Sequence, residues 1–183
     1  FNNRELLYSI SLDDGKKVHV TEDSSSIFVL TGEKLYCYNA WGEIKWEYDE
    51  IDNQTFISIS KSGNNIALSK GNNLQVLNRF GDLKSNISFD SEILSLSQSP
   101  NKTIAVLTPN FLIIIVNGEE KYKVDNKSQH LFVHCSSDNI MATSNDSMAA
   151  FSYSGNELWA KECKVDNLTF SNGGIKHVFV KDS

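Results

Sequence analysis

The longest uninterrupted apolar run in this sequence is the six residues from Phe111 to Val116, far short of the roughly 20 that a membrane helix requires. Membrane insertion is therefore not expected. Basic runs are equally scarce. None exceeds Lys16-Lys17, and the net charge of the chain is −6, so a phosphate backbone, which is bound through clustered Lys and Arg, is disfavoured as a partner. Proline occurs only at positions 100 and 109, both between apolar runs, where the missing N–H costs no ladder hydrogen bond. No window carries the sustained 3.6-residue periodicity and caps of a helix. No secretory leader pattern stands at the start, and a chain that opens on Phe1 leaves a removed leader open.

Cysteine is scarce and odd in number, at Cys37, Cys135 and Cys163. Three free thiols are expected, which favours a reducing compartment. Six Asn-X-Ser/Thr sequons, at Asn53, Asn86, Asn101, Asn126, Asn145 and Asn167, argue weakly the other way. There is no phosphate-binding Walker loop, no Gly-x-Gly-x-x-Gly, no nucleophile elbow and no metalloprotease helix.

What the chain does contain is a repeat. Four apolar runs end in a turn and a glycine, at Gly42, Gly81, Gly118 and Gly155, spaced 39, 37 and 37 residues apart. Four residues after each glycine is a slot occupied by Trp46, Ser85, Tyr122 and Trp159. Short segments rich in Val, Ile, Leu and aromatics, bounded by Gly, Asn, Asp and Ser, read as strands. A self-similar period near 40 residues built of such strands specifies a β-propeller. The expected fold is all-β, a propeller of four-stranded antiparallel blades. Four full blades should cover residues 17–48, 55–89, 93–125 and 130–163, each with strands A to D running outward from the ring centre. Partial blades should lie at both ends, as a lone strand over 4–12 and two strands within 167–182. One domain over 1–183 follows, as a five-bladed ring or as an excerpt of a larger propeller.

The run Leu35-Tyr-Cys-Tyr-Asn-Ala-Trp-Gly42-Glu-Ile-Lys-Trp46, echoed over residues 147–159, resembles the repeat of the pyrroloquinoline-quinone-like propellers. The ring logic is shared with WD-repeat propellers, although Trp46-Glu47 is the only near match to their Trp-Asp pair. In the resembling family the slot tryptophan docks on the neighbouring blade. That implies Trp46 and Trp159 largely buried between blades, with Tyr122 able to substitute and Ser85 not. The family's Asp before the turn and Thr before the glycine are absent here, Asn39 and Asn78 being nearest the Asp position. The adjacent cysteines of the quinone-dependent dehydrogenases are missing too, so the resemblance implies the cofactor-free scaffold type, and no cofactor is expected.

Chemistry is sparse. His130 and His134 would share one face of a strand over 130–136, about 13 Å apart at 3.3 Å per residue, too far to ligate one metal together. His19 and His177 would sit on other blades. No catalytic, cofactor or metal residue is assigned. Two surface patterns remain. The loops joining strand D to the next strand A hold Asp13 and Asp14; Asp49, Glu50 and Asp52; Asp90 and Glu92; Asp125; and Asp166, enough to give one face of the disc a negative potential. Asp also favours turns for local reasons. On the opposite face Trp41 and Phe80 precede the turn glycines, either as a contact patch or packed across their own blade boundaries. The expected function is a non-enzymatic scaffold that binds a protein partner, with self-association if the ring is incomplete. The alternative is an enzyme, or a small-ligand or cation-binding propeller, that uses an acidic channel mouth.

Overall fold

The computed structural model describes Ser9, residues 17–52, residues 54–163, and the strands at 167–170 and 177–180. Four antiparallel sheets of four strands follow one another along the chain. The first holds β1 (Lys17–Val20), β2 (Ser26–Leu30), β3 (Leu35–Asn39) and β4 (Ile44–Tyr48). The second holds β5 (Phe56–Ile59), β6 (Asn65–Lys70), β7 (Asn73–Asn78) and β8 (Leu83–Ser88). The third holds β9 (Ser95–Gln98), β10 (Ile104–Leu107), β11 (Phe111–Val116) and β12 (Glu119–Asp125). The fourth holds β13 (Phe132–Cys135), β14 (Ile140–Thr143), β15 (Ser147–Phe151) and β16 (Glu157–Glu162). A fifth sheet pairs only β17 (Asn167–Phe170) with β18 (His177–Val180). No helix occurs among the described residues, which form an all-β propeller of four full blades followed by the two-stranded sheet. The lone strand expected over 4–12 lies outside the described residues apart from Ser9.

The core consists of slabs between blades. Phe28, Leu35 and Cys37 of the first sheet pack on Ile66, Leu68 and Leu77 of the second. Ala67, Leu74 and Val76 meet Ile104, Val106 and Ile113 across the next boundary. The other face of β10 presents Ala105 and Leu107 to Val133, Ile140 and Ala142. Successive residues of a strand point to opposite faces, so β10 and β14 are buried on both faces at every residue, which explains their unbroken apolar runs. Strand D of each blade is mostly exposed and carries the charge.

The inner strands are joined across blades by polar seams. Cys135 N donates to Ser97 Oγ at 2.9 Å and Val133 N to Ser95 Oγ at 3.2 Å. Gln98 N donates to Ser58 Oγ at 3.0 Å, and its side-chain amide donates to the Ser58 carbonyl. Antiparallel succession puts the A–B and C–D turns on one face of the disc and the B–C and D–A loops on the other. The second face is tied by Ile93 N to Gly71 O at 2.8 Å and Asn126 N to Asn110 O at 2.8 Å.

Candidate functional site

The C–D turns are built by an asparagine. Asn39 Oδ1 accepts from Trp41 N at 2.9 Å and Glu43 N at 3.0 Å, while its amide donates to Glu43 Oε2 at 2.7 Å. Asn78 repeats this with Phe80 N at 2.8 Å, Asp82 N at 3.0 Å and Asp82 Oδ2 at 2.9 Å. The asparagine therefore holds the turn through both its amide oxygen and its amide nitrogen. It also fixes the residue before the glycine with its side chain outward. Trp41 is 73% exposed and Phe80 is 65% exposed, so neither packs across a blade boundary. In the third blade Asn117 and Gly118, both at positive φ, form a tight two-residue turn, which has no place for a third aromatic.

Below the turns lies the slot series. In every blade the C–D pairing shifts by one residue, between Cys37/Tyr38, Val76/Leu77, Ile114/Ile115 and Ala150/Phe151. Such a bulge re-aims the side chain beside it. The slot residues Trp46, Ser85, Tyr122 and Trp159 pair with Cys37, Val76, Ile114 and Ala150. Three of the four point at the turn glycine of the next blade. A Cβ on Gly81 would lie 3.0 Å from Trp46, one on Gly118 3.4 Å from Ser85, and one on Gly155 3.2 Å from Tyr122. Trp46 Nε1 also donates to Arg79 O at 2.9 Å. The indole is half-buried, docked but not enclosed. Trp159 corrects the expectation of burial, being 41% exposed. The sheet after it, β17–β18, has no C–D turn among the described residues to receive the ring.

On the opposite face the acidic loops are partly neutralised. Lys34 Nζ bridges Asp49 at 2.9 Å and Glu47 at 3.3 Å, and Lys70 Nζ bridges Asp52 at 3.1 Å. Tyr48 Oη lies within hydrogen-bond distance of Gln75 Oε1 at 2.7 Å and Glu50 Oε2 at 3.0 Å, with one proton to share between them, spanning two blades. Burial, reinforced by Glu50, pushes its phenol up to about 12. Asp90, Glu92 and Asp125 are exposed and make no salt bridge among the described residues. Asp13, Asp14 and Asp166 lie outside those residues. The sequon residue Asn126 is buried, its amide bonded to the carbonyls of Thr108 at 3.1 Å and His130 at 3.0 Å. It is a clamp, closed to glycosylation in the folded chain.

The inner strands β1, β5, β9 and β13 line an open cavity of about 350 Å³, with Lys17, His19, Lys61, Gln98, His134 and Cys135 among its walls. No carboxylate lines it among the described residues, so the acidic channel mouth has no support at the cavity itself. His19 Nε2 and Gln98 Oε1 are buried there without a hydrogen-bond partner. Burial pushes the Cys135 thiol up to about 12, against bonds from its surroundings, leaving it a poor nucleophile. The three cysteines are free thiols. His130 does not share a strand with His134. The strand begins at Phe132, and Asn126 Oδ1 holds the His130 N–H at 2.8 Å in the preceding loop. Among the described residues no group of three or more His, Cys, Asp or Glu is placed to hold a metal ion.

Four radial sheets joined through their inner strands define a β-propeller, and solved structures carry the same arrangement. The β-propeller domain of Cps50 (Swd1) from Myceliophteria thermophila matches 90% of this chain with a TM-score of 0.70 at 10% identity, over 61% of its own length. BamB from Moraxella catarrhalis matches 84% with a TM-score of 0.67 at 14% identity, over 50% of its length. Kuenenia stuttgartiensis hydrazine synthase matches 95% with a TM-score of 0.68 at 13% identity, over 57% of its length. The chain spans between half and about three fifths of these structures, and the likeness is one of fold. No protein-family model matches the chain, and no curated protein matches it in sequence.

Proposed function

We propose that the chain is a non-enzymatic propeller scaffold, one unit over residues 1–183, that contacts a protein partner through the face carrying its C–D turns. The observation that carries this reading is the pair Trp41 and Phe80, exposed at 73% and 65% on corresponding turns of neighbouring blades. Each is pinned at its backbone by Asn39 or Asn78. Rigid exposed aromatics lose little entropy on association and are enriched among residues that dominate binding. The opposite face is the weaker candidate because Lys34 and Lys70 cancel part of its charge. Docking of Trp46 on the next blade's turn supports the pyrroloquinoline-quinone-like repeat type. Exposed Val18 and Val20 on β1 support self-association as a further property.

Capture from native extract tests the choice of face. Trp41→Asp with Phe80→Asp should abolish capture of the partner, and Asp49→Asn with Asp90→Asn and Asp125→Asn should leave it intact. The reverse pattern overturns the reading. The central cavity supports a second reading as a small-ligand site, because its two buried unpaired polar atoms present one donor-acceptor group and one acceptor.

A further inference from the structure

The slot series is interrupted once. The indole of Trp46 covers Gly81 and Tyr122 meets Gly155 through its Cβ and Cγ, with the residue 44% exposed, but Gly118 is met only by the hydroxymethyl group of Ser85. The missing ring leaves a groove of about 490 Å³ between the second and third blades. Apolar cavities of about 150 Å³ already accept a benzene ring, so an indole fits with room for its flanking backbone. Val76 and Ile104 lie deepest in the groove, at 7% and 3% exposure. Phe80 forms an exposed apolar wall, with the Arg79 guanidinium 5.3 Å from its ring centre.

The rim has a sign of its own. Arg79, Lys84 and Lys102 all line the groove, and no carboxylate does. None of the three cations takes part in a salt bridge among the described residues. On a chain of net charge −6, three unpaired cations around one apolar hole are a local inversion. The bulge at Val76/Leu77 leaves Lys84 without a cross-strand partner, beside the empty slot.

We propose that this groove docks an aromatic side chain, preferably tryptophan, carried in an acidic stretch of a protein partner. The inference rests on the protein-contact reading above and names the chemistry of the contact. The incoming ring occupies the space that Trp46 fills at the preceding boundary, against Gly118, Val76 and Ile104. Its carboxylate neighbours meet Arg79, Lys84 and Lys102, whose cations also favour the ring face. Complementary charge of this kind selects partners and speeds encounter.

The test titrates the intact chain with a fluorescent pentapeptide, Asp-Glu-Trp-Glu-Asp, by anisotropy. Replacing its tryptophan with alanine, or its acids with lysine, should weaken binding by about tenfold or more. Ser85→Trp fills the slot from within and should weaken it by about tenfold or more, while raising the unfolding midpoint. Lys84→Glu with Lys102→Glu alters only exposed side chains and should also lose binding, with an unchanged circular dichroism spectrum. Lys161→Glu lies outside the groove, on an exposed position of β16, and should bind the peptide as wild type does. No binding by the wild-type chain overturns the inference, as does equal binding of the alanine peptide or full binding by both groove variants. Tighter binding of a short oligothymidylate than of the peptide overturns it in favour of nucleic acid. Failure here with loss of capture by Trp41→Asp leaves the contact face standing. Peptide binding together with unimpaired capture by Trp41→Asp upholds the groove and removes Trp41 from the contact.

Discussion

Replacing Gly81 with alanine should destabilise the propeller through two separable effects. Gly81 has φ of 86°, and an L-residue in that region costs about 1–2 kcal/mol. The added Cβ would also stand 3.0 Å from Trp46 Cδ2 and 3.2 Å from Cε3, so the indole must give way by a few tenths of an ångström. That shift strains the Nε1 bond to Arg79 O, whose whole net value is about 1 kcal/mol. It also loosens the tilted contact with Phe28, whose ring centre is 5.8 Å away. Gly71 is the control, with φ of 58° and nothing within 4 Å of its Cβ position. Gly71→Ala should cost about 1–2 kcal/mol and Gly81→Ala about 2–4 kcal/mol. Trp46→Ala should cost about 2–3 kcal/mol, below the usual 3–5 for an enclosed aromatic because the ring is half exposed. In the Trp46→Ala background Gly81→Ala should cost no more than Gly71→Ala, a coupling of about 1–2 kcal/mol. Urea unfolding followed by far-ultraviolet circular dichroism reads all four, since the indole itself is being changed. Equal costs for the two glycines, with no coupling to Trp46, would refute docking of the slot residue on the next blade.

Trp159→Ala should cost less than Trp46→Ala by the same measurement, because no turn receives its ring among the described residues. Acidification from pH 7.5 to 5.5 should lower the urea midpoint. Burial holds His130 and His19 below the ordinary histidine value, against the opposing pull of Asp146 and Glu157 on the first and of the Ser60 carbonyl on the second. The unfolded chain then takes up protons first, so this stabilisation is complete above the unfolded value and lost as pH falls through it towards the folded ones. His130→Asn should flatten the profile, and an unchanged slope would refute the assignment. Cys135, buried with its thiol raised to about 12, should resist iodoacetamide at pH 8 in the native chain and react on unfolding. Intact-mass measurement distinguishes the two states, and native alkylation of Cys135 would show the inner strands opening.

The propeller was legible because its determinants are local. Turn glycines recur at near-constant spacing, and apolar runs such as Ile104–Leu107 mark strands buried on both faces. The C–D bulge was not legible, since a one-residue shift between paired strands leaves no trace in either strand alone. Trp46 and Trp159 look equivalent in sequence, yet only one finds a turn opposite, and that depends on the next blade rather than on the repeat itself. The charge pattern of the D–A loops was visible, but its neutralisation was not, because Lys34 comes from a B–C turn and Lys70 from the end of β6, both brought alongside by the fold. The absent aromatic at Ser85 was plain from the outset. Its consequence, a basic-rimmed groove, required Lys102 and Phe80 from two different blades. A signal for His130 was also present: Asn126 four residues earlier is the spacing at which its side chain clamps the backbone of a tight loop.

Hydrogen–deuterium exchange on the chain with and without its captured partner tests the choice of contact face most directly. Protection should appear at the C–D turns 39–43 and 78–82, with the D–A loops 49–52 and 89–92 exchanging as in the free chain. Protection confined to 49–52 and 89–92, with both C–D turns unchanged, would contradict the account.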